Sequence, residues 1–89
     1  MYSVRWTRTA RNGLATAWVE AKDRKSVNDA VVQIDAMLTK DPDHAGESRD
    51  QGRRLLLQEP IGIFFKVDHT ARIARVTRAW SFRGSKSHP

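Results

Sequence analysis

Alternation of apolar and polar residues dominates the second half of the chain, between Arg53 and Trp80. Its most regular stretch places apolar side chains at every second position, at Ile61, Ile63, Phe65 and Val67. Strand geometry sends alternate residues to opposite faces. Breaks at Glu59-Pro60 and Asp68-His69-Thr70 divide the stretch, so we expect three antiparallel strands at approximately 53–58, 61–68 and 72–80. One face should lie on a core, and the other should present basic side chains.

A different period governs the first half. After an alternating segment, Tyr2–Trp6, which predicts a strand, apolar residues recur every three or four positions. They form one stripe at Ala10, Leu14, Ala17, Trp18 and Ala21 and a second at Val27, Ala30, Val31, Ile34, Met37 and Leu38. Two amphipathic helices follow from this spacing. We expect Trp18 to anchor the core and Gly13 to weaken its helix.

Local signals mark the ends of these helices. Thr7 or Thr9 is a suitable cap for the first helix. Ser26-Val-Asn-Asp29 resembles a capping box, which would start the second helix at Ser26. Pro42 stops that helix, because a proline disfavours helical geometry in the residue before it. The short break between the helices implies an antiparallel hairpin.

The predicted fold is α+β, with the order β-α-α-β-β-β. The helix hairpin packs on one face of a four-stranded antiparallel sheet, the partner its apolar stripes require. The first strand lies at an edge or is inserted beside the last strand. We expect 43–52 to be a loop with a short extended piece. A bulge near Ala74-Arg75 would bring both Ile73 and Val76 to the core. Alternatively, this strand is central and has apolar neighbours on both faces. Residues 1–80 form the domain, and 81–89 form a flexible basic tail.

Charge distribution indicates an anionic partner. The 89-residue chain has a net charge of +6 and no cysteine. Residues 1–43 hold seven Lys/Arg and six Asp/Glu, whereas 44–89 hold nine and four. The base excess therefore belongs to the sheet half, which suits nucleic acid or an acidic protein segment. The longest apolar run falls far short of a membrane span of roughly 20 residues, and the N-terminus shows no secretory signal. We expect a cytoplasmic protein.

Several motifs together resemble the RelE/ParE toxin superfamily, and the resemblance covers nearly the whole chain. Its members are the toxin halves of bacterial toxin–antitoxin pairs. The opening Tyr2-Ser-Val-Arg-Trp-Thr is similar to the first strand of that family. Ile34–Leu38 with Asp41-Pro42 is similar to the end of the family's second helix. Four further segments look like the ParE-like branch: Gly46-Glu-Ser-Arg49, Arg53-Arg54-Leu55, Pro60–Val67 and Arg75–Trp80.

The resemblance implies a toxin of a type II toxin–antitoxin system, of the plasmid stabilisation type, held in a heterocomplex by an acidic antitoxin. It implies no cofactor and no membrane. The ParE-like branch inhibits DNA gyrase, whereas the RelE-like branch cleaves messenger RNA on the ribosome, and both targets stay open here. A third alternative is a non-toxic module that only binds an antitoxin.

Basic residues of the predicted sheet are the candidate site. If the chain cleaves RNA, the candidate residues are Arg54, Lys66 and Arg78. Arginine forks fit phosphate oxygens, and the proton shuttle would have to be Lys66, His69 or His44. Arginine is a poor proton donor or acceptor near neutral pH, so no clear acid–base pair is present and enzyme activity stays open. His44 and His69 fall in a predicted loop and a predicted turn. Target binding is assigned to Arg49, Arg53, Arg72, Arg75 and Trp80, with the tail segment Arg83–Lys86. Three scattered histidines predict no metal site.

Overall fold

The computed structural model describes residues 1–82, so the predicted tail at 83–89 lies outside the described residues. Two α-helices and five strands follow one another along the chain, with short 3-10 helices at Pro42–His44 and Asp50–Gly52. Their bounds are β1 Ser3–Trp6, α1 Arg8–Glu20, α2 Arg24–Lys40, β2 Glu47–Ser48, β3 Arg54–Gln58, β4 Ile61–Asp68 and β5 Ile73–Ser81. Ser81, predicted to begin the tail, is the last residue of β5. Within residues 1–82, neither helix is long and apolar enough to cross a membrane.

The sheet has five strands in the order β1-β5-β4-β3-β2 and is mixed. The α+β class with a two-helix hairpin is confirmed, but the prediction of four antiparallel strands was wrong in two respects. First, β1 runs parallel to β5. No tight turn joins these two strands, so nothing imposes the antiparallel direction on them. Second, Glu47–Ser48 in the predicted loop pairs antiparallel with β3 as an edge strand.

Side-chain caps determine where the helices begin. The Thr7 hydroxyl accepts a hydrogen bond from the backbone N–H of Ala10 at 3.1 Å, as one of the two predicted caps. The predicted start of α2 at Ser26 was wrong. The Asp23 carboxylate accepts from the backbone N–H groups of Lys25 and Ser26 at 3.1 and 3.3 Å. This carboxylate satisfies two of the orphan donors of the first turn, so Asp23 is the cap and α2 begins directly after it, at Arg24.

The core lies between the hairpin and one face of the sheet. The helices bury Ala10, Ala17, Val27, Ala30, Ile34 and Leu38, and the sheet buries Leu56, Ile61, Ile63, Phe65, Ala74, Val76 and Ala79. Trp18 is not a core anchor as predicted, since 40% of it is exposed and the Arg24 guanidinium stacks on its ring at 4.4 Å. Its neighbour Ala17 takes the buried position. A small residue there suits close packing of α1.

A bulge in β5 lies at a different position from the one predicted. Phe64 pairs with Arg78 and Phe65 pairs with Val76, so Thr77 is the extra residue. The Thr77 hydroxyl donates to the Phe64 carbonyl at 3.3 Å. The bulge does not bring Ile73 to the core, because Ile73 pairs with Asp68 and it is Ala74 that is buried.

Candidate functional site on the open face of the sheet

The face of the sheet opposite the helix hairpin carries the predicted basic surface. We call it the open face. In an antiparallel pair, directly opposed residues lie on the same face. On β4 and β5 the opposed pairs that alternate with the core pairs are Lys66 with Arg75, Phe64 with Arg78, and Gly62 with Trp80. The Thr77 bulge is essential here, because without it the odd-numbered Arg75 and the even-numbered Arg78 would lie on opposite faces.

Four cations on this face form what we call the cationic band: Arg5, Lys66, Arg75 and Arg78. Arg5 on β1 is registered beside Arg75 on β5, which in turn faces Lys66 on β4. Three neighbouring strands therefore present positive charges side by side, about 4.8 Å apart from strand to strand. All four residues are exposed. Within residues 1–82 none of them forms an ion pair.

Beside the cationic band lies the apolar strip, which consists of Leu55, Leu57, Phe64 and Trp80. Leu55 opposes Phe64, and Leu57 opposes Gly62. The rings of Phe64 and Trp80 are 5.1 Å apart, and the Trp80 ring covers Gly62 so closely that a Cβ atom there would lie 2.7 Å from it. Trp80 thus lies on the open face and does not pack on the hairpin.

Arg53 and Arg49 border the open face at its β2–β3 edge. The Arg53 guanidinium stacks on the Phe64 ring at 4.5 Å and lies 3.6 Å from Asp50. Its buried Nε has no hydrogen-bond partner among the described residues. Arg49 pairs with Glu47 at 3.1 Å. These exposed pairs are worth about 0–1 kcal/mol each, so they orient the arginines more than they stabilise the fold.

Two of the predicted site residues lie elsewhere. Arg54 pairs with the buried Phe65 and so points to the helix side of the sheet. Its guanidinium donates to the carbonyls of Ala45 and Gly46 at 3.0 and 3.2 Å, which ties down the loop before β2. Arg72 occupies the β4–β5 turn with a φ of 58°, and its guanidinium lies 5.7 Å from the Tyr2 ring.

The two histidines among residues 1–82 stand apart from the cationic band. His69 contacts Asp43, from the segment after α2, at 2.8 Å, and His44 contacts Asp41 at 2.9 Å. Among residues 1–82 no three His, Asp or Glu side chains are grouped closely enough to hold a metal ion. The structure therefore brings together Lys66, Arg75, Arg78 and Trp80, with Arg49 and Arg53 at the border, and neither His44 nor His69, the histidines of residues 1–82, lies beside them.

Sequence reasoning missed Arg5 and most of the apolar strip as site residues. The alternation in Tyr2–Trp6 already sends Arg5 away from the core, and a register beside β5 would have completed the argument. The positions of Leu55 and Leu57 on the open face could not be predicted from the sequence. Arg53–Gln58 holds three consecutive leucines, and which of them lie on which face depends on the register with β4.

The shape of the open face suits a large ligand. A concavity of about 870 Å³ among the described residues lies elsewhere, by the α1–α2 turn, where Ala17, Val27 and Pro60 line it. The open face is a broad strand surface with two aromatic rings and four cations that have no ion-pair partner among residues 1–82. A surface of this form suits contact with an extended partner better than enclosure of a small molecule.

Similar proteins are found among solved structures. No family model and no curated protein matches the sequence. The toxin–antitoxin structure "Chromosomal ParDE TA system from P. aeruginosa" is similar with a TM-score of 0.72 and 26% identity, covering 93% of this chain and 98% of that one. The toxin–antitoxin complex RelBE2 from Mycobacterium tuberculosis is similar with a TM-score of 0.73 and 19% identity, covering 90% of each chain.

A third similar structure, the isolated E. coli RelE toxin, gives a TM-score of 0.58 and 13% identity, covering 97% of this chain and 89% of that one. At this identity the likeness concerns the fold alone, whereas the ParDE structure adds sequence similarity over nearly the full length of both chains. The family resemblance predicted from the sequence is thereby confirmed: this chain has the fold of the RelE/ParE toxin superfamily.

Proposed function

We propose that this chain is the toxin of a type II toxin–antitoxin pair, that it acts through the open face, and that an acidic antitoxin neutralises it. The observation that carries the proposal is the cationic band, four exposed cations without ion-pair partners among residues 1–82. Its support from relatives is the shared fold with ParDE and RelBE toxin–antitoxin structures.

For the mode of action, we favour inhibition by binding. Arginine and tryptophan are enriched at binding hot spots, and the open face offers both, at Arg75, Arg78 and Trp80. Cleavage of RNA requires a group that moves protons near the phosphate. The histidines that lie among the described residues contact Asp41 and Asp43 rather than the cationic band. DNA gyrase is therefore the first target to test, and messenger RNA on the ribosome is the second.

Inducible expression in bacteria tests toxicity directly. We expect growth arrest on induction and relief of the arrest when the neighbouring gene is expressed together with the chain. Copurification of that gene product would identify the antitoxin. Normal growth at high levels of soluble protein would contradict toxicity and would support the antitoxin-binding module.

Two assays with purified protein separate the targets. We expect inhibition of gyrase supercoiling at micromolar protein, and intact messenger RNA when the protein is mixed with translating ribosomes. New RNA ends at the decoding site, with unaffected gyrase, would overturn the binding mode in favour of the ribonuclease. Arg75→Gln removes a cation from the open face, and Arg11→Gln removes one from α1. The second variant is therefore the charge-matched control for the first in both assays.

A further inference from the structure

The open face is divided into two chemical zones along its strands. Three members of the cationic band, Arg5, Arg75 and Lys66, cross the sheet toward the β4–β5 turn. The apolar strip lies toward the opposite end of the same strands, around Gly62 and Trp80. We infer that this face docks one segment of a partner protein with carboxylates at one end and large apolar side chains at the other. The inference rests on the proposed function, and names the chemistry of its antitoxin segment.

The charge arrangement calls for an external anion. Like charges directly opposite one another on a sheet are destabilising, and here Arg75 has one such neighbour on each side. Carboxylates from a partner would relieve this repulsion. Arginine guanidinium groups bind carboxylates through two parallel hydrogen bonds, which adds direction to the attraction. The cationic band is thus the anchor for the acidic end of the segment.

The apolar strip distinguishes a protein partner from a nucleic acid. Single-stranded nucleic acid binds by stacking bases on aromatic side chains above a basic groove. Leu55 and Leu57 are aliphatic and offer no aromatic ring, yet 53% of Leu57 is exposed beside the Trp80–Gly62 contact. Leu57 is exposed and the other three residues of the strip are half-buried. A partly exposed apolar cluster that includes two aromatic rings, with arginines around it, matches the apolar centre and polar rim of a protein interface.

The separation of the two zones sets the spacing within the partner. From Lys66 to Gly62 the strand advances four residues, which is about 13 Å at roughly 3.3 Å per residue. An extended segment would therefore place its carboxylates about four residues from its apolar side chains. A helix would need about nine residues to cover the same distance.

Labelled probes test this inference by fluorescence anisotropy. The first probe is a peptide with the two-zone order, Glu-Glu-Glu-Ser-Thr-Leu-Trp-Leu. The second replaces its apolar residues with serine, the third has the same composition in scrambled order, and the fourth is a single-stranded oligouridylate. We expect the two-zone peptide to bind at least about 10-fold more tightly than each of the others.

Matched variants locate the binding. Arg75→Gln and Leu57→Ser should each weaken the two-zone peptide at least about fivefold. Arg11→Gln and Val32→Ser change an exposed cation and an exposed valine on the helices, and should leave binding unchanged. Tighter binding of the oligouridylate, equal binding of the scrambled peptide, absence of peptide binding, or equal losses in the control variants would each overturn the inference. Growth arrest on expression decides the proposed function separately.

Discussion

Gly13 shows how a single position is decided by packing rather than by propensity. Glycine weakens an isolated helix, and that is how the sequence alone presents it. In the fold, α1 approaches β5 so closely that a Cβ atom at Gly13 would collide with the backbone carbonyl oxygen of Ala79. Glycine is therefore required at this contact, because backbone atoms of the sheet have no room to move aside.

Gly13→Ala should destabilise the protein by about 1–3 kcal/mol through this overlap. In a helix free of contacts the same change would stabilise by about 0.5–1 kcal/mol. Urea denaturation measures the difference. The control is Asn12→Ala on the exposed side of the same turn, which should leave the free energy of unfolding equal or slightly higher. A Gly13→Ala protein more stable than the natural one would refute the close contact.

Arg54 shows why one basic residue in a cluster differs from its neighbours. Arg54→Ala removes the hydrogen bonds to the carbonyls of Ala45 and Gly46, and we expect a loss of about 1–3 kcal/mol. Arg75→Ala removes no ion pair within residues 1–82 and relieves repulsion, so the melting temperature should stay equal or rise. Thermal unfolding of the two variants, measured side by side, checks both. Equal melting temperatures would contradict the structural role of Arg54.

At the scale of elements, alternation and helical spacing carried most of the information. Strands predicted at 53–58, 61–68 and 72–80 agree within one residue with β3, β4 and β5. The parallel pairing of β1 was not predictable in the same way, since no local turn specifies it. Nor was β2, because two residues are too few to show a period. The faces of Arg53 and Arg54 depended on register, which a run of leucines does not reveal.

The Asp23 cap of α2 gives an element-scale prediction with a pH signature. The Ser26 hydroxyl and then its backbone N–H donate to the carboxylate and lower the pKa of Asp23 below its ordinary value of 3.8. A carboxyl whose folded-state pKa is lowered stabilises the fold fully above its unfolded-state pKa. That contribution is lost as the pH falls through the folded-state pKa.

Asp23→Ala should therefore lower the melting temperature near neutral pH. The gap between the variant and the natural protein should narrow as the pH falls below 3.8, because the natural protein then loses its charged cap. Thermal scans of both proteins over this pH range measure the gap. The control is Asp29→Ala, on the exposed i,i+4 pair with Lys25, which should have a smaller effect near neutral pH. A gap independent of pH would argue against the charged cap.

At the scale of the whole molecule, the hairpin covers one face of the sheet and leaves the other face open. The core accounts for the fold, whereas the open face presents four cations without ion-pair partners among residues 1–82, next to the apolar strip. Composition alone predicted an anionic partner but not the surface that we propose for it. The surface emerges only when the Thr77 bulge and the parallel β1 are placed together.

We propose that the open face is the toxic surface, and two charge-matched double variants test this by growth arrest. Lys66→Gln with Arg75→Gln removes two cations from the cationic band, and Arg8→Gln with Arg11→Gln removes two exposed cations from α1. At equal soluble expression, we predict that the first pair abolishes growth arrest and that the second pair arrests growth as the natural chain does. Growth arrest by the first pair would contradict the proposal that the open face is the toxic surface. Loss of growth arrest in the second pair alone would contradict it as well.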